Sequence, residues 1–393
     1  MVPYGRMGRG FAYLAGGRLH LTRGDAPPQA VESPFAESVR QRHAEIQKRH
    51  DWKAEGRGAQ WSGLLWGAKP ADAALMRIAI LSVGRAAGGA GVVYAVDTGG
   101  LTGVCALDPD GSERRLLHGN ERRLQHLSAA GPDGRIACSL LHKDGSASIA
   151  VMTADATDLT EITEGDSQDQ APCWADGGKR IVYQSAGVGR DGHGRPLGLE
   201  PFALQELGLE QGEVRAVASD AARDLLGPKV GEDGTLYYIR RPYKRLHGAS
   251  FWRSMLDFVL FPARLLFALF QYLNFFTTRY TGRPLTTAGG PQRKGAEMRQ
   301  MMIWGNLIDA ERDAAAADGD EPPAVVPRSW ELVRQSREGQ PEVLARSVLS
   351  FDLYPDGHLV YSTGNAIYTL SPDLRRERAW QAPRIEQVVA ILA

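Results

Sequence analysis

The chain has 393 residues, of which 43% are hydrophobic and 23% are charged, so it can bury a large core and is not a disordered protein. Lysine plus arginine equals aspartate plus glutamate at 46 each, which excludes an overall charge that would steer the chain to nucleic acid. We therefore expect no nucleic-acid partner, and we expect charge effects to be local.

The N-terminal stretch contains arginines but no apolar run of signal-peptide length before glycines interrupt it, which predicts a cytoplasmic location. The cysteines Cys105, Cys138 and Cys173 stand in apolar or strand-like surroundings, and none belongs to a CxxC pair. We interpret them as buried, reduced thiols without a metal or redox role.

A hairpin recurs along the chain, consisting of an apolar strand, a polar turn and a second strand. Its six copies begin at residues 19, 105, 150, 204, 331 and 367. A second hairpin lies upstream of four copies and turns at Asp133-Gly134, Asp176-Gly177, Asp233-Gly234 and Asp356-Gly357. Two hairpins per unit predict four-stranded blades, and the 43 residues from Gly134 to Gly177 match the period of a β-propeller.

The first interruption of the repeat is an insertion at residues 34–75. Ser33 can cap a helix with Pro34 at its first position, and Phe35 and Val39 would share one side with Ile46, so we predict a short amphipathic helix. The aromatic residues that follow, Trp61 and Trp66, either dock a partner or cover the end of the propeller core.

A glycine-rich loop is predicted at residues 186–197, between two strands of the fourth blade. It contains Arg190, Asp191, His193 and Arg195, and its glycines would let backbone amides approach an anion. Solvated side chains without a ligand are the alternative.

The largest insertion is predicted at residues 244–328, as a non-strand segment within the fifth blade that ends in a flexible, proline-containing linker. Its centre, residues 251–276, is apolar around nearly the whole circumference of a helix. The proposed docking residues are its large apolar side chains, Phe251, Trp252, Phe258, Phe261, Leu265, Leu266, Phe267, Phe270, Phe275 and Phe276. The basic flank consists of Arg240, Arg241, Lys244, Arg245, Arg279 and Arg283.

An apolar helix with a basic flank is typical of adsorption to an anionic membrane surface. Two alternatives remain, a groove-filling contact with a protein partner or a second copy, and packing on the propeller itself. A single membrane crossing is excluded, because both neighbouring strands of the fifth blade must lie on one side of the membrane. The return segment, residues 296–313, is too polar for a second crossing.

The C-terminal strand, residues 385–393, has no hairpin of its own. We predict that it closes the ring as the innermost strand of the first blade, beside the N-terminal strands, because an open propeller would expose strand edges.

All three insertions fall on one face of the predicted propeller, which we take as the binding face. The opposite face, with its Asp-Gly turns, is expected to be plain.

The stretch SQDQAPCWADGGKRIVYQS, residues 167–185, resembles the TolB-type propeller repeat, in which a proline, a tryptophan and an Asp-Gly turn precede a strand ending in serine. Residues 126–141, 228–241 and 350–363 resemble it too. The resemblance covers most of the chain outside the insertions and implies a six-bladed propeller used in protein assemblies. We therefore predict an all-β fold, a single six-bladed propeller over residues 1–393 with helical insertions in the fifth blade and after the first.

No hydrolase, metalloprotease, phosphate-loop or dinucleotide motif occurs in the sequence. We predict a scaffold without enzymatic activity or cofactor, which binds a protein partner and is peripheral to the cytoplasmic face of the inner membrane. The alternative is a hydrolase or lyase with its site in the central funnel. Such a site needs inward-facing metal ligands, and the predicted innermost strands supply only His126 and Asp352.

Overall fold

The computed structural model describes residues 8–22, 26–39, 41–42, 45, 78–98, 102–119, 123–129, 133–193, 196–243, 300–303, 306–309, 322–337 and 339–392. Strands dominate these ranges. Helix is confined, within them, to residues 34–39, 41–42 and 45 and to a 3-10 turn at Asp176–Gly178. The predicted all-β class is therefore confirmed.

The strands follow one another along the chain in short, regularly spaced pieces. In chain order they are β1 (Arg9–Ala15), β2 (Arg18–Thr22), β3 (Gln29–Ala30), β4 (Ala79–Arg85), β5 (Val92–Asp97), β6 (Thr102–Leu107), β7 (Glu113–Gly119), β8 (Arg123–Ala129), β9 (Ile136–Leu141), β10 (Ala147–Met152), β11 (Leu159–Glu161), β12 (Ser167–Ala175), β13 (Arg180–Arg190), β14 (Pro196–Leu199), β15 (Ala203–Gly208), β16 (Val214–Ala218), β17 (Arg223–Val230), β18 (Leu236–Pro242), β19 (Gln300–Ile303), β20 (Asn306–Asp309), β21 (Glu331–Gln335), β22 (Glu342–Arg346), β23 (Ser350–Leu353), β24 (Leu359–Ser362), β25 (Ala366–Leu370), β26 (Arg376–Gln381) and β27 (Ile385–Leu392).

In the described part of the chain, four sheets have four strands each, in the orders β27-β1-β2-β3, β4-β5-β6-β7, β17-β18-β21-β22 and β23-β24-β25-β26. A nine-stranded sheet follows the path β16-β15-β13-β12-β10-β9-β8, with β11 paired to β10 and β14 paired to β13. The two halves of this sheet meet through one parallel pair between β10 and β12, Ala147 and Gln168. Strands β19 and β20 form a separate hairpin.

Burial within each sheet decreases from the inner strands to the outermost one. Strand β5 is buried over Val92–Val96 and β9 over Ile136–Leu140, because each is covered on both faces by neighbouring sheets. These strands accordingly have nearly continuous apolar sequences. The outermost strands β16 and β26 are exposed along most of their length.

The innermost strands of the sheets form a closed ring. Strands β4, β8, β12, β17, β23 and β27 contact one another in that order, and β27 also contacts β4. Hydrogen bonds join neighbouring blades, each from a backbone N–H of an inner strand to a side chain of the adjacent blade. Five such pairs of donor and acceptor residues are Val83 and Gln387 (3.1 Å), Leu127 and Ser82 (3.1 Å), Ala171 and Ser139 (3.1 Å), Gly227 and Gln184 (2.7 Å), and Ala390 and Asp352 (2.9 Å). Strands β17 and β23 are joined by the Lys229–Asp352 ion pair at 3.0 Å.

The two ends of the described chain meet in one sheet. Strand β27 pairs antiparallel with β1, from Arg9 opposite Leu392 to Ala15 opposite Ile385. This places the C-terminal strand at the inner edge of the N-terminal sheet, in the position assigned to it from the sequence. The Tyr354 hydroxyl donates to the Gly10 carbonyl at 2.7 Å and ties the last sheet to the first.

The predicted non-strand segment 244–328 differs from the structure in two places. Residues 300–303 and 306–309 form the antiparallel strand pair β19 and β20, within the segment that the sequence predicts to be without strands. The predicted flexible linker ends in the core, since Val325 and Val326 are 6% and 1% exposed and Val325 N donates to Thr363 O at 2.8 Å. Residues 244–299 lie outside the described residues.

The helical segment at residues 34–39 begins as the sequence indicates. Ser33 Oγ accepts a hydrogen bond from Ala36 N at 3.2 Å, which satisfies one of the free N–H groups of the first turn. Phe35 and Val39 are buried in the cluster that contains Tyr94, and Phe35 N donates to Glu113 Oε1 at 3.0 Å. Ile46 and the remainder of the 34–75 insertion lie outside the described residues.

Candidate functional site

The predicted docking residues fall almost entirely outside the part of the chain that the structure describes. This holds for Trp61, Trp66, Phe251, Trp252, Phe258, Phe261, Leu265, Leu266, Phe267, Phe270, Phe275 and Phe276, and for the basic residues Lys244, Arg245, Arg279 and Arg283. Among the described residues, no helix is long and apolar enough to cross a membrane.

Arg240 and Arg241, the remaining residues of the predicted basic flank, are engaged inside the propeller. Arg240 Nη2 lies 2.7 Å from Glu331 Oε2, across the paired strands β18 and β21. Arg241 Nε lies 2.9 Å from Asp224 Oδ2, and its side chain is only 3% exposed. Its guanidinium also covers the Trp330 ring at 4.8 Å. Neither arginine is available to bind a membrane or a partner as part of the basic flank, because each is paired with a buried or half-buried carboxylate.

A cavity of about 810 Å³ lies inside the ring of inner strands, and we call it the funnel. Its walls come from β4, β8, β12, β17, β23 and β27, and the turns with Asp176-Gly177 and Asp356-Gly357 line it too. The funnel therefore lies at the Asp-Gly end of the propeller. The expectation of a plain face there was wrong, because inner strands that converge on an axis leave a concave end that the turns surround.

The funnel wall contains a buried ion pair. Lys229 Nζ lies 3.0 Å from Asp352 Oδ1, with side-chain exposures of 31% and 6%, and Asp352 Oδ2 accepts from Ala390 N at 2.9 Å. Burial alone would raise the pKa of Asp352, but the charges of Lys229 and Arg85 outweigh burial and hold it below its ordinary value. The pKa of Lys229 is raised in turn, because Asp352 more than offsets the effect of burial. Both groups are therefore ionised at neutral pH.

His126 and Cys173 lie near this ion pair. Burial, with a smaller effect of the Lys229 charge, lowers the pKa of His126 to about 4, and His126 Nδ1 lies 3.0 Å from Ser139 Oγ. Burial raises the pKa of the Cys173 thiol. At neutral pH the imidazole is thus neutral and the thiol protonated, so neither is a ready acid, base or nucleophile.

The funnel residues are better suited to binding a charged ligand than to acid–base catalysis. Asp352 lines it, as its position in the sequence indicated, whereas His126 is not among its lining residues. In the part of the chain described here, no three His, Cys, Asp or Glu side chains are grouped so as to hold a metal ion. The three thiols are free, with Cys105 and Cys138 buried and Cys173 half-buried.

Comparison with known proteins gives matches among solved structures alone. No family model matches the sequence, and no curated protein matches it. The crystal structure of TolB from Acinetobacter baumannii superposes with a TM-score of 0.52 at 12% identity, covering 98% of this chain and 67% of that one. The nidogen/laminin complex gives a TM-score of 0.51 at 8% identity, covering 98% and 99%. The chain has a TolB-like β-propeller fold. At these identities the likeness concerns the fold alone.

Two charged residues of the funnel in this TolB-like propeller, Arg85 and Lys229, were not identified from the sequence. Arg85 ends β4 and its Nη1 donates to Leu353 O at 3.1 Å, while Lys229 follows a proline in β17. A usable signal was present, because Lys229 and Asp352 stand within predicted innermost strands, where charged residues are rarely buried unless they are paired. Their pairing across the ring could not be deduced from spacing.

The predicted glycine-rich loop at 186–197 is a β-hairpin, formed by the extension of β13 to Arg190 and its pairing with β14. Small residues suggested a loop, but Val188 opposite Leu199 continues a strand. Arg190 is occupied by carboxylates, with Nη2 at 2.5 Å from Asp166 Oδ1 and 3.4 Å from Asp144 Oδ2. An anion would have to compete with both, which removes the basis of the anion-site hypothesis for Arg190. Arg195 lies outside the described residues.

Proposed function

We propose that this chain is a six-bladed propeller scaffold without enzymatic activity, which binds a protein partner and docks on a membrane surface through its 244–328 insertion. The count of six follows if the nine-stranded sheet is divided at the single parallel pair between β10 and β12. Strands β8 to β11 then form one blade, and β12, β13, β15 and β16 form the next. Each blade contributes one strand to the inner ring.

The observation that carries the proposal is the direct pairing of β18 with β21 across the insertion. Residues Leu236 to Arg240 pair with Gln335 to Glu331 without a break, so the chain leaves the sheet and returns to it at neighbouring strands. The Arg240–Glu331 and Arg241–Asp224 pairs anchor the base of the insertion. The sheet β17-β18-β21-β22 is complete without residues 246–321, which supports a docking role for those residues rather than a role in this sheet.

The chemistry of the partner is proposed from the sequence of residues 251–276 and from the remaining basic residues beside it. An apolar helix next to lysine and arginine favours the anionic inner face of the cytoplasmic membrane, at about 1 kcal/mol for each basic residue near the surface. The similar structures support the scaffold part of the proposal, since one of them comes from the nidogen/laminin complex, an assembly of two proteins.

Liposome co-sedimentation tests the proposal. We expect the intact chain to bind vesicles of phosphatidylcholine with phosphatidylglycerol, to release them as NaCl is raised, and to ignore pure phosphatidylcholine. A variant with residues 246–321 replaced by a Gly-Ser linker should stay unbound. The linker stops at 321 because Val325 and Val326 belong to the core.

A charge-reversal pair gives the matched control. Arg279→Glu with Arg283→Glu should weaken vesicle binding at least tenfold, because two attractive contributions of about 1 kcal/mol each are replaced by repulsion. Arg375→Glu with Arg378→Glu makes the same charge change around the exposed strand β26 and should leave binding unchanged. Equal binding by the intact and linker variants, or none by either, would contradict membrane docking.

A further inference from the structure

The part of the funnel wall that the inner strands form holds more positive than negative charge. Arg85 and Lys229 face a single carboxylate, Asp352, and Arg85 lies close enough to influence the ionisation of both other groups. Asp352 is already satisfied by Lys229 and by Ala390 N. The Arg85 guanidinium therefore has no carboxylate of its own on the inner strands, and an anion bound beside it would be stabilised.

The Arg85 guanidinium still has donors to offer. Within the described residues its one hydrogen bond goes to the Leu353 carbonyl, and no carboxylate lies at ion-pair distance from it. A guanidinium has five N–H donors in a planar fork that matches a carboxylate. The Lys229 ammonium has three donors, and Asp352 Oδ1 is its one ion-pair partner. Both side chains line the funnel, so their remaining N–H groups are available to a bound molecule.

The funnel mouth has the opposite charge. Four carboxylates line it, Asp176, Glu232, Asp233 and Asp356. Asp176 is paired with Arg180 and Asp356 with Arg9, whereas Glu232 and Asp233 have no cation at ion-pair distance in the described part of the chain. Glu232 and Asp233 follow Lys229 by three and four residues, so the chain between the two charged zones spans at most about 14 Å even when fully extended.

From this arrangement we infer that the funnel binds a small zwitterion of the amino-acid class, with its carboxylate against Arg85 and Lys229 and its ammonium toward Glu232 and Asp233. A compact anion without an ammonium group would be repelled by the mouth, and a plain amine would be repelled by the wall. The volume of about 810 Å³ admits such a molecule together with water.

Isothermal titration calorimetry at low salt tests the site with three probes of one chain length. These are 5-aminovalerate, valerate, which lacks the ammonium, and pentylamine, which lacks the carboxylate. The full-length protein should bind 5-aminovalerate, bind valerate at least fivefold more weakly, and give no heat with pentylamine. No heat with 5-aminovalerate up to about 10 mM would overturn the proposal.

Variants assign the two ends of the ligand. Arg85→Gln should weaken 5-aminovalerate binding at least tenfold. Glu232→Gln with Asp233→Asn should weaken 5-aminovalerate binding and strengthen valerate binding, so that the two probes bind with similar affinity. Arg114→Gln, which removes an exposed arginine paired with Asp108, is the control and should bind as the unmodified protein does. Binding unaffected by Arg85→Gln would overturn the assignment.

A second variant covers the case in which Arg85→Gln does not fold. Ser128→Glu places a new carboxylate on the funnel wall and leaves Arg85, Lys229 and Asp352 in place. It should abolish 5-aminovalerate binding, since the added charge neutralises the positive excess, while the circular dichroism spectrum stays that of the unmodified protein. Unchanged binding by this folded variant would equally contradict the inferred site.

Discussion

His126 lies in the left-handed region of backbone space, with φ at 51°, and so do Ala171 at 52° and Gly227 at 58°. The three occupy equivalent bulges in the successive inner strands β8, β12 and β17. Glycine adopts this conformation without strain, whereas a histidine there costs roughly 1 kcal/mol or more. Contacts from neighbouring strands hold two of the bulges, since Ser139 Oγ of β9 accepts from Ala171 N and lies 3.0 Å from His126 Nδ1.

The low pKa of His126 predicts a loss of stability in mild acid. The folded state holds this pKa at about 4, while the unfolded chain titrates near 6.5. The unfolded state therefore takes up the proton first as the pH falls, and stability is lost between pH 6.5 and 4. The loss from this residue at pH 5 should be about 2 kcal/mol.

Urea unfolding at pH 7 and pH 5 measures this loss, with His126→Asn as the comparison. Asparagine tolerates a positive φ and does not titrate, so the variant should lack about 2 kcal/mol of the pH dependence shown by the unmodified protein. An identical pH dependence in both proteins would refute the role assigned to His126.

For Arg241, the sequence predicts a buried position but not the identity of its partner. Successive residues of a strand face opposite sides of the sheet, so Arg240 and Arg241 could not both point to solvent on one face of β18. The pair of arginines therefore predicts one that points inward, with a buried partner. The identity of that partner, Asp224, depends on the antiparallel register of β17 and β18, which the sequence does not show.

At the scale of strands, neighbouring inner strands are joined by side chains of one strand that hydrogen-bond to the backbone of the next. Gln387 is an example, because its amide donates to Val83 O at 2.7 Å and its Oε1 accepts from Val83 N at 3.1 Å. Close approach is needed as well. A Cβ on Gly84 would lie 2.3 Å from the Leu127 carbonyl oxygen, so β4 and β8 can contact at this point only because residue 84 is glycine.

Gln387→Ala should destabilise the propeller by about 2 kcal/mol, because it leaves the N–H and C=O of Val83 without partners in a half-buried junction. Thermal or urea unfolding measures the effect. Gln381→Ala, in the exposed strand β26, makes the same change in side chain and should stay within about 0.5 kcal/mol of the unmodified protein. Equal effects of the two substitutions would show that the junction bonds contribute nothing.

The Asp-Gly turns were the most reliable sequence signal for the strands. Gly134, Gly177, Gly234 and Gly357 all have positive φ, between 62° and 82°, which is the conformation that singled them out. The hairpin β13–β14 was missed because its glycines resemble those of a loop. Gly187 lies against the Glu200 side chain, whose carboxylate would have to move aside for a Cβ at residue 187, since the two would be 2.9 Å apart.

At the scale of the whole molecule, the sheet formed by β17, β18, β21 and β22 should not need its insertion. Replacing residues 246–321 by a twelve-residue linker shortens the loop about sixfold, which favours closure by about 1.5 kcal/mol. The linker variant should therefore be as stable as the intact chain or slightly more stable in urea unfolding.

Two outcomes separate the possible roles of the insertion. A loss of more than about 2 kcal/mol would mean that the inserted residues pack on the propeller itself, as one interpretation of the sequence allows. The control extends the replacement through residue 328. It should lose about 2–5 kcal/mol, because it removes the buried side chains of Val325 and Val326.

The propeller could be predicted from the recurrence of hairpins, because each copy repeats the same turn chemistry and alternation. The funnel could not. The charged residues that its inner strands supply, Arg85, Lys229 and Asp352, come from three different sheets and are far apart in the sequence. Only the closed ring of inner strands brings them together, and ring closure is a property of the whole chain.

The pairing of β27 with β1 also affects folding of the nascent chain during synthesis. Strand β1 is rich in apolar residues and has β27 as one of its two neighbours, yet β27 is synthesised several hundred residues later. Until then the N-terminal hairpin has an open apolar edge, at which another chain could add a strand. Contacts this distant in sequence form slowly. A nascent chain of this protein thus has an interval of exposure to aggregation, and chaperones that shield β1 in that interval would determine its yield.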